Sequence, residues 1–248
     1  MLSSAVPMTF LQLVQRYHRE SGASGTAPTT TATTVVQWQR ECDNIAAAYI
    51  DIQNKHPDWL WLTQDCVFNT IANQQSYSPF TTAFTTPNAP SGLTDFGSWE
   101  LSSPEGDSSF RLWLASAGVY NETYLDASLD YPAFRDYYQF GARSTTYARP
   151  ISICQDPQKN LLFGLGPNDI YTVRGKYHQA AQLLANDTDV PAMPARFHLL
   201  IVWYALEHYA LFESAPEVLA RAQKFGAKFM TQLETDQLPD IELPGPLV

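Results

Sequence analysis

The feature that most constrains the fold is the helical spacing of apolar residues near both ends of the chain. After Thr9, a residue type preferred at helix N-caps, apolar side chains share one helix face: Phe10, Leu13, Val14 and Tyr17. A loop rich in Gly, Pro and Thr (residues 21–34) precedes a longer predicted helix, which Pro57 ends. The longer helix carries an apolar seam, too short for an autonomous coiled coil, which indicates packing inside a bundle: Val35, Trp38, Cys42, Ile45, Tyr49 and Ile52.

The C-terminal part of the chain shows the same kind of spacing in two further segments. Pro194 opens the first segment and Pro216 opens the second. The predicted apolar faces contain Phe197, Leu200, Ile201, Tyr204, His208, Leu211 and Phe212 in the first, and Leu219, Ala222, Phe225, Phe229, Met230 and Leu233 in the second. Because only residues 213–215 separate the segments, we predict a helical hairpin.

The middle of the chain, from Trp61 to about Tyr177, is rich in Thr, Ser, Tyr, Phe, Pro and Gly. Short apolar stretches alternate there with turn signals, which predicts an antiparallel β region. Residues 110–114 and 170–173 are predicted strands. One short helix is predicted from Tyr131 to Gly141, with a proline in its first turn and with Phe134, Tyr137 and Tyr138 as its packing residues.

Together these patterns predict an α+β fold, in which the N- and C-terminal helices form a helical bundle with a central antiparallel β-rich insertion. We expect N-terminal helices of the bundle in residues 1–60 and a β-rich region with one short helix in residues 61–180. Residues 181–236 are expected to supply the C-terminal helices that complete the bundle. The proline-rich residues 237–248 predict an extended tail.

Charge and composition narrow the range of partners. Only 16% of the 248 residues are charged, the formal net charge is −10, and Lys and Arg form no local cluster. Because phosphate binding needs such clusters, we expect no sequence-specific binding of DNA or RNA. An acidic surface repels phosphate, and so it remains compatible with a surface beside which DNA slides.

The cysteine count and the hydropathy indicate a reducing compartment and no membrane partner. Three well-separated cysteines do not form a disulfide framework. We expect no secretory signal, since the first residues lack a basic start followed by an apolar core. The most apolar stretch, residues 199–212, contains Glu207 and His208 and is shorter than the ~20 residues of a membrane span. We therefore expect a soluble protein.

No motif in the sequence carries catalytic, cofactor or metal chemistry, so we predict no catalytic residue, no cofactor and no metal. His208 falls within a predicted apolar face and is interpreted as a packed or capping histidine. Residues 186–189 alternate acids in a way that a calcium loop can, but they lack its glycine and final glutamate, which favours a turn. Four tryptophans in or next to the β region can either stack on sugars or pack in the core, and packing is the commoner use: Trp59, Trp61, Trp99 and Trp113.

Several short phrases along the chain carry a resemblance to a known family. They are residues 8–16 (MTFLQLVQR), residues 50–59 (IDIQNKHPDW), residues 131–135 (YPAFR), residues 171–177 (YTVRGKY) and residues 201–206 (IVWYAL). From about Thr9 to Pro239 the chain resembles the head-to-tail adaptor (connector or neck) proteins of tailed bacteriophages.

The resemblance implies a structural virion protein that forms a homo-oligomeric ring, typically a dodecamer, beneath the portal protein. It implies a ring at the virion neck that continues the DNA channel without specific DNA binding and docks the next tail component, a downstream tail or nozzle protein. We expect synthesis in the host cytoplasm and no enzymatic activity. In relatives the C-terminal segment reaches the portal, and the portal-binding residues expected here are Leu238, Pro239, Ile241, Leu243 and Pro244.

Two other functions remain open on the sequence. One is another neck or tail component, either a tail-completion or a nozzle protein, which would differ from an adaptor in its binding partner. The other is a carbohydrate-binding or carbohydrate-active β module, which would need exposed stacked rings or two convergent carboxylates.

Overall fold

The fold is described from a computed structural model, in residues 6–102 and 108–238. Within this part of the chain there are five α-helices: α1 (Phe10–Ser21), α2 (Val36–Lys55), α3 (Tyr131–Phe134), α4 (His198–Phe212) and α5 (Pro216–Gln237). The chain divides into two compact units. The helical unit consists of residues 1–62 and 181–248, and the β unit consists of residues 63–180.

In the helical unit, α1 begins and ends at strong local signals. The Thr9 hydroxyl accepts a hydrogen bond from the Gln12 backbone N–H, and the Gln12 side chain accepts one from the Thr9 N–H, which completes a capping box. Gly22, with φ +74°, ends the helix in the left-handed conformation that glycine adopts without a steric penalty. The predicted face of α1, from Phe10 to Tyr17, is fully buried.

Helix α4 is the central helix of the unit and contacts α1, α2 and α5. Its side chains are buried on several sides, as expected for a helix surrounded by others: Leu200, Ile201, Val202, Trp203, Ala205 and Leu206. On α2 the seam is buried from Cys42 to Ile52, whereas Val35 and Val36 at its start are exposed. The helices from both ends of the chain therefore share one apolar core.

The β unit contains a mixed set of short strands, most of them paired antiparallel. The strands in the described residues are β1 (Thr63–Asn69), β2 (Ser76–Tyr77), β3 (Phe84–Thr86), β4 (Phe96–Glu100), β5 (Arg111–Leu114), β6 (Thr123–Tyr124), β7 (Tyr147–Ala148), β8 (Ile153–Gln155), β9 (Leu161–Phe163), β10 (Gly166–Pro167) and β11 (Tyr171–Gln179). The main sheet has the order β3-β1-β11-β5-β6, with β4 also paired to β11. Strands β2, β9 and β8 form a second sheet, and β7 and β10 pair in parallel.

Strand β11 organises the main sheet because it pairs with β1, β5 and β4. Its buried side chains alternate with exposed ones, the period-2 pattern of a strand with one face in the core. The core on that face is largely aromatic and includes Phe68, Phe110 and Tyr177, each fully buried. Gly175 leaves room for the Phe110 ring, which lies directly against its backbone.

The α+β class predicted from the sequence is confirmed, with N- and C-terminal helices flanking a β-rich region. The predicted strands correspond to β5 and β11. The predicted helix at Tyr131 continues from α3 into a wider helical turn that ends at Gln139. Within the predicted faces, Leu211, Phe212 and Tyr137 are exposed, so periodicity assigned them to the core incorrectly.

Candidate interaction surfaces

The described residues contain no group of three or more His, Cys, Asp or Glu side chains placed to hold a metal ion. His198 is buried, and its Nδ1 accepts a hydrogen bond from the Met8 N–H at 3.0 Å. Its Nε2 donates to the Met193 carbonyl, also at 3.0 Å. Because burial lowers the pKa of His198, the neutral ring serves as a fixed link between Met8 and the start of α4.

The His208 ring packs against a neighbouring helix. Its Nε2 lies 3.3 Å from the Asp51 carboxylate on α2, and the side chain is about one third exposed. The contact joins α4 to α2 at their polar edge. The ring therefore takes part in a polar contact between two helices of the helical unit.

Burial disfavours ionisation of two cysteine thiols. Burial raises the pKa of Cys42 to about 11 and that of Cys66 to about 12. A thiol acts as a nucleophile only as the thiolate. These two side chains therefore pack as small apolar groups at neutral pH.

Three of the four tryptophans that were considered for sugar stacking are buried in the structure. Trp59 is fully buried, and Trp99 and Trp113 are less than a tenth exposed. Trp61 is half-buried and stacks on Trp59 with ring centroids 4.3 Å apart. Trp59 and Trp99 are members of the two large apolar clusters and Trp61 packs against the first of them, so packing accounts for these three rings.

The acidic residues 186–189 form a turn, as predicted. The Asp189 carboxylate accepts hydrogen bonds from the backbone N–H groups of Ala185 and Asn186, both at 2.8 Å. The Asp187 carboxylate accepts from the backbone and hydroxyl of Thr31, both at 2.6 Å. These hydrogen bonds lower the pKa of both carboxyls. Within the helical unit, the turn therefore ties the 21–34 loop to the segment that precedes α4.

The helical unit exposes an apolar surface at the tip of the α4–α5 hairpin. Leu211 and Phe212 are about two thirds exposed, as is Val36 in the first turn of α2. The Arg40 guanidinium lies 4.5 Å from the centre of the Phe212 ring and 3.5 Å from the Glu213 carboxylate. Since Arg40 follows Val36 by one helical turn, both lie on the same face of α2. We call these five residues the hairpin-tip patch.

The β unit exposes a second apolar surface at the end of its main sheet farthest from Thr63 and Gln179. Three backbone hydrogen bonds show that loops meet at this end. The N–H groups of Thr70, Asn73 and Ala115 donate to the carbonyls of Tyr171, Pro167 and Ile170, respectively. The exposed large apolar side chains of these loops and of β7 are Ile71, Val119, Tyr120, Tyr147 and Ile170.

In the segment after α3, cations lie over aromatic rings. The Arg143 guanidinium lies 3.7 Å from the centre of the Tyr137 ring, and Arg135 lies 5.5 Å from that of Phe140. Both rings are half-exposed or more. Tyr147 follows the same segment and pairs with Gly166 in the parallel β7–β10 pair, which links the segment to the loop before β11. We call the exposed apolar side chains at this end of the sheet the distal patch: Ile71, Val119, Tyr120, Tyr147 and Ile170.

Buried neighbours hold in place the helical turn that contains Tyr137. Phe134 and Tyr138 point into a small apolar core with Cys154 and Leu162. The Tyr138 hydroxyl is 3.0 Å from that of Ser152. Consecutive residues therefore have opposite roles, and helical periodicity could not separate the exposed Tyr137 from the buried Tyr138.

The family model described as SU10 adaptor protein matches residues 8–244, nearly the whole chain. The chain belongs to the SU10 adaptor protein family. Membership identifies a bacteriophage adaptor, a virion-associated protein that interacts with other head or tail proteins. No curated protein matches the chain significantly.

In this SU10 adaptor family member, the residues expected to bind the portal lie at the end of α5 and beyond. Leu238 directly follows α5, is half-buried and packs against the core of the helical unit. Pro239, Ile241, Leu243 and Pro244 lie outside the described residues. Beside the last turns of α5 is an open cavity of about 400 Å³, lined by Arg196, Phe197, Thr231, Gln232, Thr235 and Asp236.

An ion pair crosses the rim of this cavity. Arg196 bonds the Asp236 carboxylate and lowers its pKa. Two residues before Asp236, Glu234 accepts hydrogen bonds from Lys55 and His56, each at 3.0 Å. The end of α5 is thus fixed to α2 and to the turn before α4. Among the helices of the described residues, none is both long enough and apolar enough to cross a bilayer.

Proposed function

We propose that this protein is a non-enzymatic head-to-tail adaptor that forms a dodecameric ring beneath the portal. The ring continues the DNA channel and docks the next tail component. The observation that carries the proposal is the family match over residues 8–244, which agrees with the family resemblance of the sequence.

The exposed apolar surfaces support a role in a permanent assembly. A monomeric protein seldom exposes large contiguous apolar patches, yet this chain has exposed aromatic and aliphatic side chains at the hairpin-tip patch and at the distal patch. Identical subunits in a ring use head-to-tail interfaces that close by rotation. Obligate interfaces bury roughly 2,000 Å² or more and are rich in apolar groups.

The charge of the chain supports a channel that does not hold DNA. The formal net charge is −10, with 15 basic and 25 acidic residues. Acidic or neutral walls repel phosphate, so DNA can slide without being retained by counterion release.

The oligomeric mass of the full chain tests the proposal. Mass photometry is performed on the protein alone and after mixing with the portal protein of the same phage. A ring mass, either free or on the portal, is the expected result. A protein that stays monomeric and does not associate with the portal would contradict the adaptor role.

The portal contact is tested separately with a chain that lacks residues 239–248. Leu238 is retained because it packs on the helical core. We expect weaker portal binding at an unchanged unfolding midpoint. A matched control replaces the same ten residues with a Gly-Ser segment of equal length, which should bind as weakly as the deletion if the tail sequence makes the contact. Portal affinity equal to wild type in the deletion would refute the assignment.

A further inference from the structure

The open face of the main sheet carries a row of side chains that runs across its strands. Residues directly opposite each other in an antiparallel pair point to the same face of a sheet, so the strand register defines the row. From β3 to β6 its members are Thr86, Val67, Arg174, Arg111 and Tyr124. Arg174 and Tyr124 are exposed, whereas the alternate residues of β11 are buried. We call these five residues the arginine row.

Two arginines lie opposite each other in the middle of this row. Like charges in such positions destabilise a sheet. The Arg111 guanidinium is balanced by the Glu122 carboxylate at 3.3 Å. Arg174, in contrast, has no ion pair and no side-chain hydrogen bond within the described residues. Since local conflicts of this kind are expected at functional sites, the pair indicates that the row binds a negatively charged group.

Aromatic rings hold both guanidinium groups in place. Arg174 lies 5.4 Å from the centre of the Trp113 ring, and Arg111 lies 4.3 Å from that of Tyr124. A guanidinium stacked on a ring can still bind a carboxylate through its N–H groups. Preorganised groups lose little conformational freedom on binding, and Arg, Tyr and Trp often dominate the binding energy of protein interfaces.

The neighbouring charges on the same face determine which kind of anion suits the row. Lys176, two residues after Arg174, lies between Asp65 on β1 and Glu100 on β4. Together with Glu122, these carboxylates equal the cations of this face in number. The balance disfavours a polyanion such as DNA, which needs uncompensated cations. A protein surface that combines apolar side chains with a few carboxylates suits the row.

The helical unit of the same chain offers a surface of that kind at the hairpin-tip patch. Leu211 and Phe212 are about two thirds exposed there. Three exposed carboxylates belong to the patch or lie within four residues of it in the sequence: Asp43, Glu213 and Glu217. Within the described residues only Glu213 among them has an ion pair, with Arg40. The patch is therefore apolar with an excess of negative charge.

Charge also determines how two copies can meet. A two-fold contact of the arginine row with itself would place arginines against arginines, and juxtaposed like charges cost binding energy. A ring of identical subunits instead joins two different surfaces of each copy. The arginine row and the hairpin-tip patch carry unbalanced charges of opposite sign, and both expose apolar or aromatic groups.

We infer that the arginine row of one copy binds the hairpin-tip patch of the next copy, with the carboxylates beside the patch facing Arg174. This inference rests on the proposed ring. It assigns the head-to-tail contact between subunits to two surfaces that lie apart from the chain after α5, to which the portal contact is assigned.

A charge exchange tests the inference. The full-length variants are Arg174→Glu, Glu217→Arg and the double variant that combines them. Arg143→Glu is the matched control, because Arg143 is also exposed in the β unit, lies over an aromatic ring and has no ion pair in the described residues, but is not part of the main sheet. Mass photometry over a range of concentrations measures assembly, both of the protein alone and on the portal protein of the same phage.

Each single variant places like charges in the contact and should raise the concentration needed for half-assembly at least tenfold. The double variant should recover most of the wild-type assembly, because its two charges are exchanged and its net charge is unchanged. Arg143→Glu, which changes the net charge as much as Arg174→Glu does, should stay within twofold of wild type. Wild-type assembly should weaken as salt rises, since part of the contact is electrostatic.

Thermal unfolding separates a role in assembly from a role in the fold. Arg174→Glu puts a carboxylate opposite Arg111, and opposite charges in that position stabilise a sheet. Its Tm should therefore equal or exceed that of the wild type while its assembly is lost. A Tm clearly below wild type would contradict the inference, because Arg174 would then serve the fold.

The outcomes also separate this inference from the proposed function. If the wild-type protein forms no ring, either alone or on the portal, the proposed ring fails and the inference fails with it. If the wild-type protein forms a ring and either single variant assembles as well as wild type, only the inference is wrong. The same holds if the double variant assembles no better than the weaker single variant, because the two charges then do not meet.

Discussion

The close approach of Gly175 and Phe110 gives the most specific stability prediction. A Cβ atom on residue 175 would lie 2.2, 2.4 and 2.5 Å from three carbons of the Phe110 ring. Carbon atoms in contact are normally 3.5–4.0 Å apart. The fully buried ring would therefore have to move by about 1 Å or more, within a core that also holds Trp99 at 5.9 Å.

The expected cost of Gly175→Ala follows from two opposing effects. Overpacking of a core costs about 1–3 kcal/mol. Replacing Gly by Ala reduces the conformational entropy of the unfolded chain and offsets about 0.4–1 kcal/mol of that cost. We expect a net loss of roughly 1–2 kcal/mol in the free energy of unfolding, or roughly 2–8 °C in Tm for a chain of this size.

Urea unfolding followed by tryptophan fluorescence measures the loss, and hydrogen exchange locates it in residues 63–180. The double variant Gly175→Ala with Phe110→Leu should recover part of the stability, because the smaller side chain makes room for the added methyl. A coupling energy of about 0.5 kcal/mol or more between the two sites is expected for residues in contact. An unchanged unfolding midpoint in Gly175→Ala, or strictly additive effects in the double variant, would refute the reasoning.

Three further predictions concern the helical unit. Gly226→Ala on α5 should raise the free energy of unfolding in urea by about 0.5–1 kcal/mol, because alanine has the higher helix propensity. The new Cβ would lie 3.2 Å from the movable Glu207 carboxylate and 3.6 Å from the Tyr204 ring. Destabilisation would show that Glu207 is held rigidly. Glu41→Ala should cost about 1–3 kcal/mol, since it leaves the buried His18 Nδ1 without its hydrogen-bond partner at 2.9 Å. Glu41→Gln, which keeps the shape and a hydrogen-bonding oxygen, should cost less, and equal losses would contradict this role. Thr31→Val should reduce the stability of the helical unit at neutral pH, because the hydrogen bonds that depress the folded-state pKa of Asp187 stabilise the fold only while the carboxyl is ionised. This stability difference from wild type should be present above the ordinary carboxyl pKa of about 3.9. It should disappear as the pH falls through the lowered folded-state pKa of Asp187. A stability difference that persists in acid would argue against the Asp187 contact.

Local signals were sufficient for the helices. The face of α1 from Phe10 to Tyr17, its N-cap at Thr9 and the hairpin break at residues 213–215 are all set by residues within one or two turns of each other. Helical hydrogen bonds join residues four apart, so the sequence pattern and the structure carry the same information there.

The strand pairing is different, because the partners are distant in the sequence. Thr63 on β1 lies opposite His178 on β11, and β11 also receives β4 and β5. No local pattern says which of several short apolar stretches will meet. This is why the sequence predicted a β region and two of its strands, but not the order of the sheet.

The sequence by itself therefore determined the α+β class, the four long helices and, through its family phrases, the adaptor family. Only the tertiary structure decided which apolar side chains remain outside the cores. Phe212 and Tyr137 satisfy helical periodicity, but Phe212 at the end of α4 stays about two thirds exposed and Tyr137 lies outside the small core that Tyr138 enters. Periodicity fixes the direction of a side chain around its own helix, whereas burial depends on what other segments of the chain place in front of it.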